Sequence, residues 1–212
     1  MRVRRVVTRR GRHIRGYFPS KKMDRMVAWE SLLERDALLL LELSPGVVAY
    51  QEQPEEIRYW DGEAIRSYVP DLLVTLHDEH MVLIEIKPRA ELARPNVRAK
   101  YGRIAEHLQT QGRAFRLLTE EEIRLEPQFS TLQRLLYRYN HPASPLPSGA
   151  ELASVFQRAQ QIPLAQCEAS FGADGVHTLI AQGRLFVDLS LPITAASLLR
   201  LPTGDAHAAI FF

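Results

Sequence analysis

The chain has a single cysteine, Cys167, among 212 residues. That excludes an intrachain disulfide framework and a cysteine-based zinc cluster, and it favours a reducing, cytoplasmic setting. Long hydrophobic runs are missing too, so no membrane span is expected. The arginine-rich start has no apolar segment after it and does not read as a secretory signal. Acids are absent from the first 22 positions, which hold Arg2, Arg4, Arg5, Arg9, Arg10, Arg12, Arg15, Lys21 and Lys22. Such a run neutralises phosphates, with Arg9, Arg10, Arg12, Arg15, Lys21 and Lys22 as the expected DNA contacts; a solvated basic tail without a specific partner is the competing reading. Gly11, Gly16 and Pro19 argue against a continuous helix there, which leaves an extended arm over 1–22. Base is scarce at the other end. Beyond Ala150 only Arg158, Arg184 and Arg200 occur, so that part is expected to contact protein at least as readily as DNA.

What is present is an ordinary globular composition, 46% hydrophobic and 25% charged. Its most informative stretch runs from Val69 to Lys87. Two apolar segments, 72–76 and 81–86, flank a polar tip, His77-Asp78-Glu79-His80, and read as a hairpin of two largely buried strands. The charges sit at its open end: Asp71 opens the first strand, and Glu85 and Lys87 close the second. Charges placed there are costly unless they pair or bind a metal. Glu85 and Lys87, two apart, share a face of their strand. A two-residue turn at Asp78-Glu79 would set Asp71 opposite Ile86, on the wrong face. An odd-length turn or a bulge would set it opposite Glu85 or Lys87, and one of these is expected. Two carboxylates with one ammonium can hold a divalent cation and orient a water beside it. A structural ion pair between Glu85 and Lys87 is the alternative. The histidines at the tip lie far from these carboxylates and are better explained by turn chemistry. Cys167 has no surrounding constellation and reads as a small buried residue.

The remaining elements follow from local signals. Asp24 is a plausible cap for a helix over 25–43, apolar all round from Ala37 to Leu41 and stopped by Ser44-Pro45-Gly46. On it Glu30 and Glu34 share one face, and Glu34 is preferred as the one nearer the enclosed half. Strands are expected over 47–51, 57–60, 64–68 and 114–118. A helix over 95–111 starts with Pro95 and closes at Gly112, and Thr119 with Glu122 makes a capping-box pattern. This order implies an α/β sandwich around a mixed sheet, with the last strand reached by a crossover. Lys100 and Tyr101, on the helix beyond the charged end, could contact a phosphate, while Tyr101 fits the core equally well. The proline-rich segment 139–149 reads as a linker. Helices over 132–139, 150–160, 176–182 and 194–199, with a strand over 184–189, suggest a small winged-helix-like domain. The expected organisation is a basic arm over 1–22, a catalytic domain over 23–127 and a C-terminal domain over 128–212 that contacts partner or DNA.

Pro70-Asp71, the hairpin, and Glu85-Ile86-Lys87 with an upstream helical glutamate resemble the PD-(D/E)xK nuclease superfamily. Within it, the segments Glu30-Ser31-Leu32-Leu33-Glu34-Arg35-Asp36, Gln51-Glu52-Gln53-Pro54, Val69-Pro70-Asp71 and Ile84-Glu85-Ile86-Lys87-Pro88 are similar to TnsA, the endonuclease subunit of heteromeric Tn-type transposases. The resemblance spans about Arg10 to Glu122. Some members carry Gln where this chain has Glu85.

The resemblance implies a restriction-endonuclease-like mixed sheet flanked by helices. It implies a site in which Asp71, Glu85 and the Ile86 carbonyl hold Mg²⁺ or Mn²⁺. Glu34, at the position of the family's helical glutamate, would contribute directly or through water, and Lys87 would position the attacking water. It further implies hydrolysis of one strand at the 5′ ends of a transposon, with a TnsB-like transposase and a TnsC-like ATPase regulator as partners, on DNA in a bacterial cytoplasm. A freestanding restriction or repair-type nuclease, or a non-catalytic DNA-binding adapter, are the alternatives.

Overall fold

A computed structural model describes residues 14–157, 159–203 and 210–211 of the chain. They fall into two compact units, one built from the described residues up to Glu42 with Val47–Ile123, the other from Leu43–Gly46 with Arg124–Phe211.

The first unit opens with an antiparallel hairpin of β1 (Gly16–Ser20) and β2 (Arg25–Trp29). The basic arm is therefore a paired strand from Gly16 onward, and the helix expected from Arg25 begins only at Leu32, as α1 (Leu32–Leu43). Three local causes explain the difference. Asp24 is no cap: at φ 49° it takes the left-handed turn between the strands, a conformation aspartate tolerates better than most residues. Val27, Ala28 and Trp29 are buried, and a Cβ at Gly16 would meet the Trp29 ring at 2.5 Å, so the glycine is what lets the indole lie against β1. The helix start is instead marked by Ser31, whose hydroxyl accepts from the Glu34 N–H at 3.1 Å.

Leu38 to Leu41 are buried, as an all-apolar helical turn requires. Glu42 follows them into the interior. It accepts from the Ser20 hydroxyl at 2.7 Å, the Tyr50 hydroxyl at 2.6 Å and the N–H groups of Lys21 and Lys22, fixing the first turn against α1.

Next come β3 (Val47–Glu52), the hairpin of β4 (Ile57–Trp60) and β5 (Ile65–Tyr68), then β6 (Leu72–Leu76) and β7 (Met81–Ile86). They are followed by α2 (Arg89–Leu92), α3 (Pro95–Thr110), β8 (Ala114–Leu118) and α4 (Glu120–Ile123). The main sheet has the order β3-β6-β7-β8; its first two pairings are antiparallel, and β7 with β8 is parallel across the α2–α3 crossover. This is the mixed, helix-flanked sheet of the restriction-endonuclease-like reading. Tyr101, Ile104 and Leu108 of α3 pack with Ile57, Tyr59, Tyr68 and Leu83, so one face of the sheet is closed directly beside the charged end of β7.

The second unit holds α5 (Gln128–Asn140), α6 (Gly149–Phe156), β9 (Ile162–Pro163), α7 (Leu164–Phe171), α8 (Ala173–Ala181) and β10 (Leu198–Leu199). Ser148 and Glu151 form a capping box that starts α6 at the end of the proline-rich linker. Two expectations fail here. Residues 184–189 are not a strand: Leu185, Val187 and Leu189 are buried, but only Phe186 makes a bridge, to Arg200. The stretch 194–199 is not a helix, because Leu198 and Leu199 pair antiparallel with β9. The second depends on a strand partner far away in sequence, which local pattern does not disclose. Cys167 is fully buried and free.

Candidate active site

The site is assembled by register. β6 and β7 are joined by a three-residue tip, His77-Asp78-Glu79, closed by the Leu76 N–H donating to His80 O at 2.8 Å, with Glu79 left-handed at φ 66°. The turn is odd, as convergence of the charged groups requires. Leu72 consequently faces Ile84, and the same register carried one step further sets Asp71 opposite Glu85. The tip itself is occupied with its own turn: His80 donates its N–H to Asp78 at 3.1 Å and its ring pairs with the same carboxylate at 2.8 Å.

At the open end three oxygens surround one cation. The Lys87 ammonium lies 2.7 Å from Glu85 Oε1, 3.0 Å from the Ile86 carbonyl and 3.5 Å from Asp71 Oδ2. Asp71 Oδ2 also accepts from the Ile86 N–H at 2.8 Å, which ties the start of β6 to the end of β7. Glu85 is only 3% exposed, and both its oxygens are engaged. Oε2 accepts from the Tyr68 hydroxyl at 2.7 Å and Oε1 from the Tyr101 hydroxyl at 2.5 Å. Tyr68 is the site residue that sequence reading missed, and for Tyr101, named there as a phosphate contact or a core residue, it missed the bond to Glu85. Tyr101 is no phosphate contact but a core residue with its hydroxyl on Glu85, and exposed Lys100 lies 5.0 Å from its ring centre. One signal was available: Tyr101 stands in the aliphatic seam of Ile104 and Leu108, where a phenol needs a polar partner.

The electrostatics favour a cation here. Burial pushes the Asp71 carboxyl well above its usual range and Glu85 adds to this, while Lys87 opposes it. Burial alone would lower Lys87, but Asp71 and Glu85 outweigh it and the amine is held above its ordinary value. Asp71 and Glu85 repel one another where water is scarce, and a single ammonium lies against both. The donor set is two carboxylates and a carbonyl, all hard oxygens, which suits Mg²⁺ or Mn²⁺ rather than a thiol- or imidazole-seeking metal. Among the described residues no three His, Cys, Asp or Glu side chains form a metal cage by themselves. The residues present fit a cation held by two carboxylates, one backbone oxygen and water.

Glu34 lies to one side of this group. Its Oε2 accepts from the Glu30 N–H at 2.7 Å and its Oε1 from the Ser31 hydroxyl at 3.2 Å, so it helps cap its own helix. Burial raises its pKa; those hydrogen bonds and, less strongly, Lys87 pull the other way. Glu34 and Asp71 both line a cavity of about 10 Å³, together with Gln53 and Glu52. Glu52 is committed elsewhere, paired through both oxygens with Arg25 at 2.9 and 2.6 Å.

The expected DNA contacts divide. Arg9, Arg10 and Arg12 lie outside the described residues, and Lys21 is exposed. Arg15 stands 3.6 Å from Glu30. Lys22 turns inward and donates to Leu41 O at 2.9 Å; burial brings its pKa down to about 8 against the opposing pull of Glu42. No helix among the described residues is long and apolar enough to cross a membrane.

Residues 44–120 match the family described as TnsA-like endonuclease N terminal. The matched span contains Asp71, Glu85, Ile86 and Lys87, and Glu34 precedes it. No curated protein matches the chain.

Proposed function

We propose that this chain, which carries a TnsA-like endonuclease N-terminal domain over residues 44–120, is the metal-dependent DNA endonuclease subunit of a Tn-type transposase. It would hydrolyse one strand at the 5′ ends of the transposon, beside a TnsB-like transposase that cuts the other strand and under a TnsC-like ATPase regulator. The observation that carries this reading is the ring of Asp71, Glu85 and Ile86 oxygens around a single positive charge, the Lys87 ammonium.

Asp71, Glu85 and the Ile86 carbonyl would hold Mg²⁺ or Mn²⁺, with Glu34 reaching it through water. The cation would supply Lewis-acid polarisation of the phosphate and make a bound water more acidic. Tyr68 and Tyr101 hold Glu85 in one orientation, so its remaining lone pairs keep a fixed direction. Lys87 would orient the attacking water and stabilise charge on the phosphate. Basic residues of the N-terminal stretch, Arg9, Arg10, Arg12, Arg15 and Lys21, would hold the DNA backbone, whereas the buried amine of Lys22 supports the fold.

One observation favours the adapter as a second reading: both oxygens of Glu85 are already satisfied by protein donors, as in a purely structural ion pair. A Mg²⁺-dependent nicking assay on transposon-end DNA, with and without co-produced transposase, separates the readings. Cutting only with the partner supports the subunit. Cutting alone points to a freestanding nuclease, and no cutting in any mixture to the adapter. Asp71→Ala should abolish cutting and leave the folded spectrum intact; retained cutting removes Asp71 from the site.

A further inference from the structure

Gln53 is the residue beside the site whose state is unexplained. It is 6% exposed, and its side-chain Oε1 is buried with no hydrogen-bond partner. Its backbone is left-handed at φ 43° although it is neither glycine nor asparagine, and its N–H donates to Asp71 O at 2.9 Å. A buried amide oxygen left unpaired is unfavourable, and removing it in favour of an apolar group of similar shape is commonly neutral or stabilising. Retention at a strained position, bonded to the backbone of the central carboxylate, points to a ligand for that oxygen.

The cavity says what the ligand is. Gln53 lines it with Glu34, Asp71 and Glu52, so the polar side chains facing it are rich in acceptors. An occupant has to bring protons of its own. About 10 Å³ is close to the smallest space that holds one water. A water there can donate to two acceptors and still present a lone pair.

We propose that Gln53 is a positioning residue: its Oε1 holds one water in this cavity, and that water links Glu34 to the cation site at Asp71. The inference rests on the reading of Asp71 and Glu85 as a cation site and adds the element that connects Glu34 to it. Gln53 itself touches neither substrate nor cation.

The test is Mn²⁺ binding by the full-length chain, followed by calorimetry and water-proton relaxation, with thermal unfolding measured on the same samples. Gln53→Met keeps the size and removes the acceptor; Gln53→Glu restores it. Loss of a partner of this kind lowers metal affinity about 10-fold or more. The expected result is that loss in Gln53→Met with no drop in its metal-free melting temperature, and recovery of affinity in Gln53→Glu. Gln53→Met binding Mn²⁺ like the wild type overturns the role of Gln53 while leaving the cation site standing, provided Asp71→Ala abolishes binding. If the wild-type chain binds no Mn²⁺, the cation reading fails and Gln53 falls with it. A Gln53→Met chain with a lowered metal-free melting temperature and unchanged affinity assigns the glutamine a structural role.

Discussion

Single side chains carry more of this site than the three-residue signature alone. The buried side chain of Glu85 has two phenols and an ammonium in place of water. Removing one phenol should therefore be felt in stability as well as chemistry. Tyr101→Phe is expected to cost about 1.5–3 kcal/mol in denaturant unfolding, the range for a hydrogen bond to a charged group, and an unchanged midpoint would show that the bond contributes nothing. Lys22 makes a second residue-level test. Its folded pKa of about 8 lies below the ordinary lysine value of 10.5, so between those limits the unfolded chain binds more protons than the folded one. Stability from this group then rises with pH across that window, by at most about 1.4 kcal/mol per pH unit, and is unaffected by it below pH 8. Lys22→Met should flatten that part of the stability curve, and an unaltered slope would contradict the burial of the amine.

At the scale of elements, the length of one turn decides whether the carboxylates meet. The odd tip between β6 and β7 was legible in the sequence only because the chemistry demanded it: Asp71 and Glu85 had to share a face, and a two-residue turn would separate them. Glu79 takes the left-handed position that such a tip needs. Glu79→Gly is expected to stabilise the chain by roughly 0.5–1 kcal/mol, since glycine adopts that conformation without a Cβ penalty; destabilisation would argue for a different loop. The start of α1 was not legible in the same way. Arg25 to Trp29 has apolar spacing compatible with a helix, but β1 supplies a strand partner and Trp29 needs the bare backbone of Gly16. Ser31, inside the expected helix, is the true cap. Ser31→Ala should cost about 1 kcal/mol by thermal unfolding and loosen Glu34 at the same stroke, whereas no loss would mean the cap is redundant.

Over the molecule as a whole, the two units differ in how much their sequences disclose. In the first, hairpins, a crossover helix and alternating strands are local patterns, and the mixed sheet follows from their order. Tyr68 and Gln53 escaped because their partners are remote: Glu85 is 17 residues from Tyr68, and Gln53 matters through a cavity shared with Glu34 and Asp71. In the second, β9 and β10 pair across some 35 residues, so a strand was read as a helix. If Asp71, Glu85 and the Ile86 carbonyl hold a cation as proposed, its binding adds to the stability of the fold. A saturating divalent ion, at 100 times its Kd, should add about 2.7 kcal/mol to the stability of the chain. The most direct measurement is anomalous scattering from a crystal of the protein soaked in Mn²⁺. A peak within coordination distance of Asp71, Glu85 and the Ile86 carbonyl, with the Lys87 ammonium moved out of that place, is the predicted result. Ordered density with Lys87 still seated among those oxygens and no manganese beside them would contradict the account.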